Sequence, residues 1–198
     1  MKPIPERAKV VINSKTSLVK IVALVLFVLA WVNPYTEKMN GESALVFMFS
    51  HYSLCLAGLL LGISYFKWPA WLWVPGVAFL SLWHLPIFFA LSGNSFAYRV
   101  PEEAMIFLGG LFIGSNFKSM NPATRIYLFV AYIIADSVLS AFFIIAPKIY
   151  SSISISPFGS GQFVITGVAM VIFMTWAISY VTVIFWRATV KRLNGPVQ

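Results

Sequence analysis

Long apolar runs, each closed by a proline, a charge or a small polar cluster, divide the chain from Leu18 to Trp186. The runs are continuous rather than alternating, and Leu, Ile, Val and Phe dominate them. That is the pattern of helices surrounded by apolar matter, not of barrel strands. About 20 apolar residues carry a helix across a bilayer. Six spans are predicted on that measure: about Leu18 to Val32, Ser43 to Ile63, Pro69 to Leu91, Pro101 to Phe117, Pro122 to Ala146, and Gln162 to Trp186. Asn33-Pro34 ends the first and Pro147 the fifth. Pro69, Pro101 and Pro122 suit helix starts, where a missing N–H costs nothing. The expected fold is an all-α polytopic membrane helix bundle. A basic segment over residues 1–17 precedes a transmembrane domain over 18–187, and a tail over 188–198 follows. The longest outer connection is the Ser-rich stretch from Ser151 to Gly161.

Composition agrees: the chain is 60% hydrophobic and 10% charged, with a mean hydropathy of +0.85. A soluble domain carries about 25% charged residues. No room remains for a soluble catalytic domain, and no nucleophile elbow, phosphate loop, zinc-protease motif or dinucleotide fingerprint is present. The net charge of +8 does not point to nucleic acid, because the basic residues flank spans. With the N-terminus cytoplasmic, eleven lysines and arginines fall inside and only Lys38, Arg99 and Lys148 outside. The positive-inside rule therefore predicts both termini in the cytoplasm and a multi-pass protein of the plasma membrane, in contact with membrane lipid. The basic start resembles a signal-peptide n-region, but no small-residue cleavage pattern follows, so an uncleaved first helix is expected. A single cysteine, Cys55, excludes an intramolecular disulfide.

The candidate chemistry is intramembrane. His51 and His84, the two histidines of the chain, both fall inside predicted spans, and ionisable groups there are functional-site hypotheses by default. His51, Cys55, Gly58 and Gly62 recur at intervals of four, three and four, on one helix face. Glu103, Phe107, Gly110 and Gly114 repeat that spacing, which turns Glu103 into the bundle and leaves Glu102 as a solvated first-turn charge. At about 1.5 Å per residue, His51 lies roughly 12 Å, His84 roughly 10 Å and Asp136 roughly 15 Å below the outer ends of their spans. Met48 extends the His51 stripe, and Met170 lies at similar depth on the last span. Imidazole, thiolate and thioether together suit copper. Packing is the alternative for Cys55 and the methionines. For His84 it is a hydrogen bond across the bend made by Pro86, which is expected to leave the Leu82 carbonyl without its partner. Asp136 is either a charge partner or a protonated clamp between helices, with a histidine, Ser137, Ser140 or a cation as its partner.

In order along the chain, His51 with Ala57-Gly58, Leu82-Trp83-His84-Leu85-Pro86, Glu102-Glu103 with Phe107-Leu108-Gly109-Gly110-Leu111, Ala146-Pro147 with Tyr150, and Gln162 with Gly167 and Met170 resemble two families. These are the CtaG-type assembly factors of caa-type cytochrome c oxidases and a related uncharacterised family of archaeal membrane proteins. The resemblance implies copper handling in assembly of a membrane-bound respiratory or copper oxidase. His51 and His84 match the family histidines. Glu103 stands where a histidine is expected, and Gln162-Phe163-Val164 where an Asp-Gln-Gln element is expected. The expected metal residues are His51, His84, Met48, Met170, Glu103 and Asp136. Neutral imidazole is the ligand form, so binding is expected to weaken below about pH 6.5. Two alternatives stay open: an accessory subunit of a membrane oxidase or monooxygenase, and an electron-transfer subunit with haem b ligated by His51 and His84.

Overall fold

The computed structural model describes residues 18–193; the expected basic segment over 1–17 and residues 194–198 of the tail lie outside them. Every regular element among the described residues is helical. In chain order these are α1 (Leu18–Val32, its last turn a π-helix over Val28–Val32), α2 (Pro34–Glu42), α3 (Ala44–Tyr65), α4 (Trp73–Leu82, after a 3-10 turn at Ala70–Leu72), α5 (Pro86–Asn94), α6 (Phe96–Asn116), α7 (Pro122–Ile145), the short α8 (Lys148–Ser151) and α9 (Ser160–Leu193).

Three helices are long and apolar enough to cross a membrane: α3, α7 and α9 as far as Ile184. Two bent pairs bring the number to five, α1 with α2 at 58° and α4 with α5 at 72°. The fourth predicted span, Pro101 to Phe117, corresponds to α6, where Arg99, Glu102 and Glu103 make the helix too charged to qualify by composition. On α1, α7 and α9, branched side chains such as Ile21 (58% exposed), Ile134 (59%) and Ile172 (66%) face outward. So much exposed apolar surface fits a hydrocarbon solvent.

Three boundaries differ from the expectation. The helix predicted from Pro69 to Leu91 is broken. Leu85, which precedes a proline, is driven to extended backbone (φ −67°, ψ 139°), and Pro86 then opens a new helix at its first position. The Leu82 carbonyl is not orphaned, because the Leu85 N–H donates to it at 3.2 Å. The fourth helix begins at Phe96, so Pro101 lies inside α6 rather than at its start. Beyond Asn33-Pro34 the chain does not merely turn. The Asn33 side chain accepts from the Tyr35 N–H at 3.0 Å and caps α2, a polar helix across one end of the bundle.

The main contact joins α3 and α6. A Cβ placed on Gly58 would meet the Phe107 carbonyl and lie 2.8 Å from the Leu111 nitrogen. One on Gly62 would lie 2.5 Å from the Leu111 carbonyl oxygen and 2.6 Å from the Ser115 nitrogen, and ones on Gly110 and Gly114 would strike the carbonyls of Cys55 and Leu59. Residue numbers rise together on both sides of this contact, so α3 and α6 run in the same direction. Small residues that let backbones touch are the usual basis of helix association in lipid, where the hydrophobic effect gives no drive. At the α2 end, Phe47, Met48, Phe89, Phe143, Tyr150, Phe158, Phe163 and Met170 form one buried aromatic-rich cluster. Gln162 at the start of α9 ties that end together: its side chain accepts from the Ala44 N–H at 3.1 Å and donates to the Glu42 carbonyl at 3.2 Å.

Gly110→Ala is expected to lower stability by about 1–3 kcal/mol, the cost of forcing volume into a closed contact. Gly161→Ala, with nothing within 4 Å of its added carbon, is expected to change it by less than about 0.5 kcal/mol. Equilibrium unfolding of the two variants in detergent micelles checks the contrast.

Candidate functional site

His51 projects from the α3 stripe toward α6, roughly two turns before the first glycine contact, and is 2% exposed. Its ring is walled by Phe47 at 4.4 Å and Phe89 at 6.5 Å between centres. His84 arrives from a different direction, on the turn between α4 and α5. The break at Leu85 therefore positions this histidine. The ring Nδ1 of His84 lies 2.5 Å from the Leu80 carbonyl oxygen, which can only accept, so Nδ1 carries the proton and Nε2 of the neutral ring carries the lone pair. The Tyr150 hydroxyl donates to the His84 carbonyl at 2.8 Å and holds the turn from the other side. The two imidazole centres stand 5.8 Å apart with their planes at 76°.

A carboxylate completes the group, and it is Glu102 rather than Glu103. Glu102 is fully buried, with Oε1 3.2 Å from Nε2 of His51. Its expected role as a solvated first-turn charge does not hold, because α6 starts at Phe96 and Glu102 falls deep enough in the helix to face α3. Neither nitrogen of His51 and neither oxygen of Glu102 has a hydrogen-bond partner of good geometry. Buried polar atoms are normally satisfied, so four such orphans together are a strong local anomaly. A proton or a cation shared between Nε2 of His51 and the Glu102 carboxylate would satisfy the facing atoms of the pair.

The remaining sequence candidates go elsewhere. Glu103, 1% exposed, accepts from the Asn40 side-chain amide at 3.3 Å, and the Ser50 hydroxyl donates to the Asn40 oxygen at 2.9 Å; Glu103 Oε2 is left without a partner. Asp136 accepts from the Tyr52 hydroxyl at 2.6 Å, so its partner is a phenol and not a histidine, Ser137 or Ser140. Ser137 instead donates to the Met174 sulfur at 3.6 Å, and Ser140 to the Ser137 carbonyl at 3.1 Å. Met48 and Met170 are fully buried in the aromatic cluster whose Phe47 and Phe89 wall His51. Cys55 meets α6 through its backbone, at Gly110. Among the described residues, no three His, Cys, Asp or Glu side chains already stand close enough to enclose a metal ion.

One functional residue escaped the sequence reading. Arg99, expected as an outer flanking charge, is 5% exposed. It donates to the Ser92 carbonyl at 3.0 Å, the Gly93 carbonyl at 2.7 Å, the Glu37 carbonyl at 3.1 Å and the Glu37 carboxylate at 2.6 Å. It thereby caps the end of α5 and latches α2 onto α6. An arginine followed closely by two glutamates at the head of an apolar run is the signal that marks it.

The chain belongs to the family described as "Protein of unknown function (DUF1404)", whose model matches residues 21–188. No curated protein and no solved structure matches it.

Arg99→Met is expected to cost about 2–3 kcal/mol, because three carbonyls and a partly buried carboxylate lose a charged donor. Arg99→Lys is expected to recover less than half, since an ammonium cannot span the same fork of acceptors. Thermal unfolding in detergent, compared across the three proteins, reads the effect.

Proposed function

We propose that this family member is a multi-pass plasma-membrane protein that holds one transition-metal ion, copper, between His51, His84 and Glu102, in the service of assembling a membrane-bound respiratory or copper oxidase. The carrying observation is a pair of imidazole rings 5.8 Å apart, one of them 3.2 Å from a buried carboxylate, with both nitrogens of His51 and both oxygens of Glu102 unsatisfied. Two metal–nitrogen bonds of about 2.0–2.1 Å, added to two ring radii, put ring centres at most roughly 6 Å apart. The observed 5.8 Å is inside that limit, so the two rings are close enough for one ion to span. Imidazole favours copper over the other first-row divalent ions by affinity. The resemblance of the Trp83-His84-Leu85-Pro86 element to the CtaG-type factors supports the same choice and the link to an oxidase, whose subunits are the expected partners. Bound there, copper would be carried and handed on; the chain supplies ligands and buried, water-poor surroundings.

Haem b between the same histidines fits less well. The His51 Nε2 has a carboxylate oxygen at 3.2 Å where a macrocycle would have to lie, and helix α6 would need to withdraw.

The reading makes α6 a crossing too, the fourth of six in chain order, since it runs beside α3 and in the same direction. Both termini are then cytoplasmic, and α2, α5 and α8 lie at the outer face, consistent with Lys20, Lys67, Lys118 and Arg125 at the opposite end.

Metal analysis of protein purified from its native membrane tests the proposal. Copper is expected close to stoichiometric in the wild type, lost in the His51→Ala, His84→Ala double variant, and held about tenfold more weakly after Glu102→Gln. Equal copper in wild type and double variant would sink it; a copper-free protein that still co-purifies with an oxidase would favour the accessory-subunit role instead.

A further inference from the structure

The geometry points to a one-sided entrance: a cation reaches His51 and Glu102 from the α2 face, past a station formed by Glu103, Asn40 and Ser50, and the glycine-packed half of the α3–α6 seam gives it no continuation toward the opposite face. This rests on the metal reading above for its cargo, but not for the route.

The two halves of the α3–α6 seam differ in kind. Beyond Cys55 the helices touch backbone to backbone, and even a single added carbon at Gly58, Gly62, Gly110 or Gly114 would collide with a main-chain atom. An ion with any hydration cannot pass there. Toward α2 the same seam is polar. Ser50 and Glu103 directly precede and follow the His51 and Glu102 positions in the chain, so the station and the site are adjacent along both helices. Asn40 reaches in from α2, fully buried, and is held by both of them. Glu103 keeps a buried oxygen without a partner, as a carboxylate awaiting a cation would. Further out, Glu37 has a side chain 26% exposed and anchors Arg99. Glu37 stands at the surface, paired with Arg99, and Glu103 and Glu102 are neighbours on α6 beneath it, Glu103 turned to Asn40 and Glu102 to His51. With Arg99 offsetting Glu37, the acidic side chains facing the site are Glu103 and Glu102, oxygen groups that suit a cation rather than an anion.

Asn40 is the plug in this arrangement. Its two hydrogen bonds keep α2 seated, and the Arg99–Glu37 latch keeps it there from above. An amide cannot pass on a proton as a hydroxyl or carboxyl does, so exchange requires Asn40 to withdraw.

A sided labelling experiment tests the route without any metal. In a Cys55→Ala background, Ser50→Cys is exposed to a charged, membrane-impermeant methanethiosulfonate in right-side-out and inverted vesicles. Labelling is expected from the outer face only. It is expected to quicken several-fold with Asn40→Ala, the factor given by losing the one ordinary hydrogen bond, to Glu103, that Asn40 keeps once Ser50 is replaced. Glu37→Gln, which loosens α2 without touching the buried plug, should quicken it in the same direction. Labelling confined to the inner face, or rates indifferent to both substitutions, would overturn the entrance. Copper loading of the otherwise native chain supplies the second arm: Glu103→Gln should slow uptake several-fold and leave the final content unchanged, whereas Glu102→Gln lowers the content. A lowered content with unchanged rate in Glu103→Gln would make Glu103 a ligand and refute the station. Sided labelling in a protein that never holds copper would keep the entrance and discard the metal reading, leaving another cation or a proton as its traffic.

Discussion

Direct backbone contact between α3 and α6 is the constraint on which the rest of this protein depends. Glycines remove the side chains that would keep the helices apart, and each then presses on the other's main chain. In lipid the gain comes from dispersion between close surfaces, which only a near-perfect fit delivers. Once the fit is made, register is fixed along the whole seam. His51 must face Glu102 and Ser50 must lie within an amide's reach of Glu103, because one turn of slippage would put a Cβ into a carbonyl.

This seam was the part most legible in the sequence. The stripes His51–Cys55–Gly58–Gly62 and Glu103–Phe107–Gly110–Gly114 have the same spacing because they are two sides of one contact. Periodicity assigns faces to within a residue, and that residue mattered: the stripe pointed to Glu103, while the helix that begins at Phe96 turns Glu102 onto His51. The apolar runs likewise announced helices but not their breaks. Trp83-His84-Leu85-Pro86 reads as a kink, and only packing decides between a kink and the 72° break observed. Long-range partners such as Arg99 with Glu37, Tyr52 with Asp136 and Gln162 with Ala44 are set by tertiary approach and leave no local periodic trace.

Two clusters of buried charge follow opposite rules. Around Arg99 every donor direction used ends on an acceptor, and the guanidinium is part of the scaffold. Around His51 and Glu102 the atoms are close but misaligned, and the demand for partners is unmet. Sites where local satisfaction fails inside an otherwise consistent structure are where function is expected. The scaffold cluster sits toward the surface and the unsatisfied one behind it, so the well-bonded latch guards the poorly bonded site.

The break between α4 and α5 also bears on how the chain enters the membrane. A ten-residue α4 is too short to cross by itself, and α6 carries an arginine and two glutamates. An arginine at the centre of a lone helix disfavours insertion by about 2.5–3.5 kcal/mol, and these charges stand in the first turns of α6. Neither segment is a self-sufficient passenger of the translocon. In α6 those charges meet partners on α2 and α3, Arg99 with Glu37, Glu103 with Asn40 and Glu102 with His51, so this helix suits an apolar solvent only as part of the bundle.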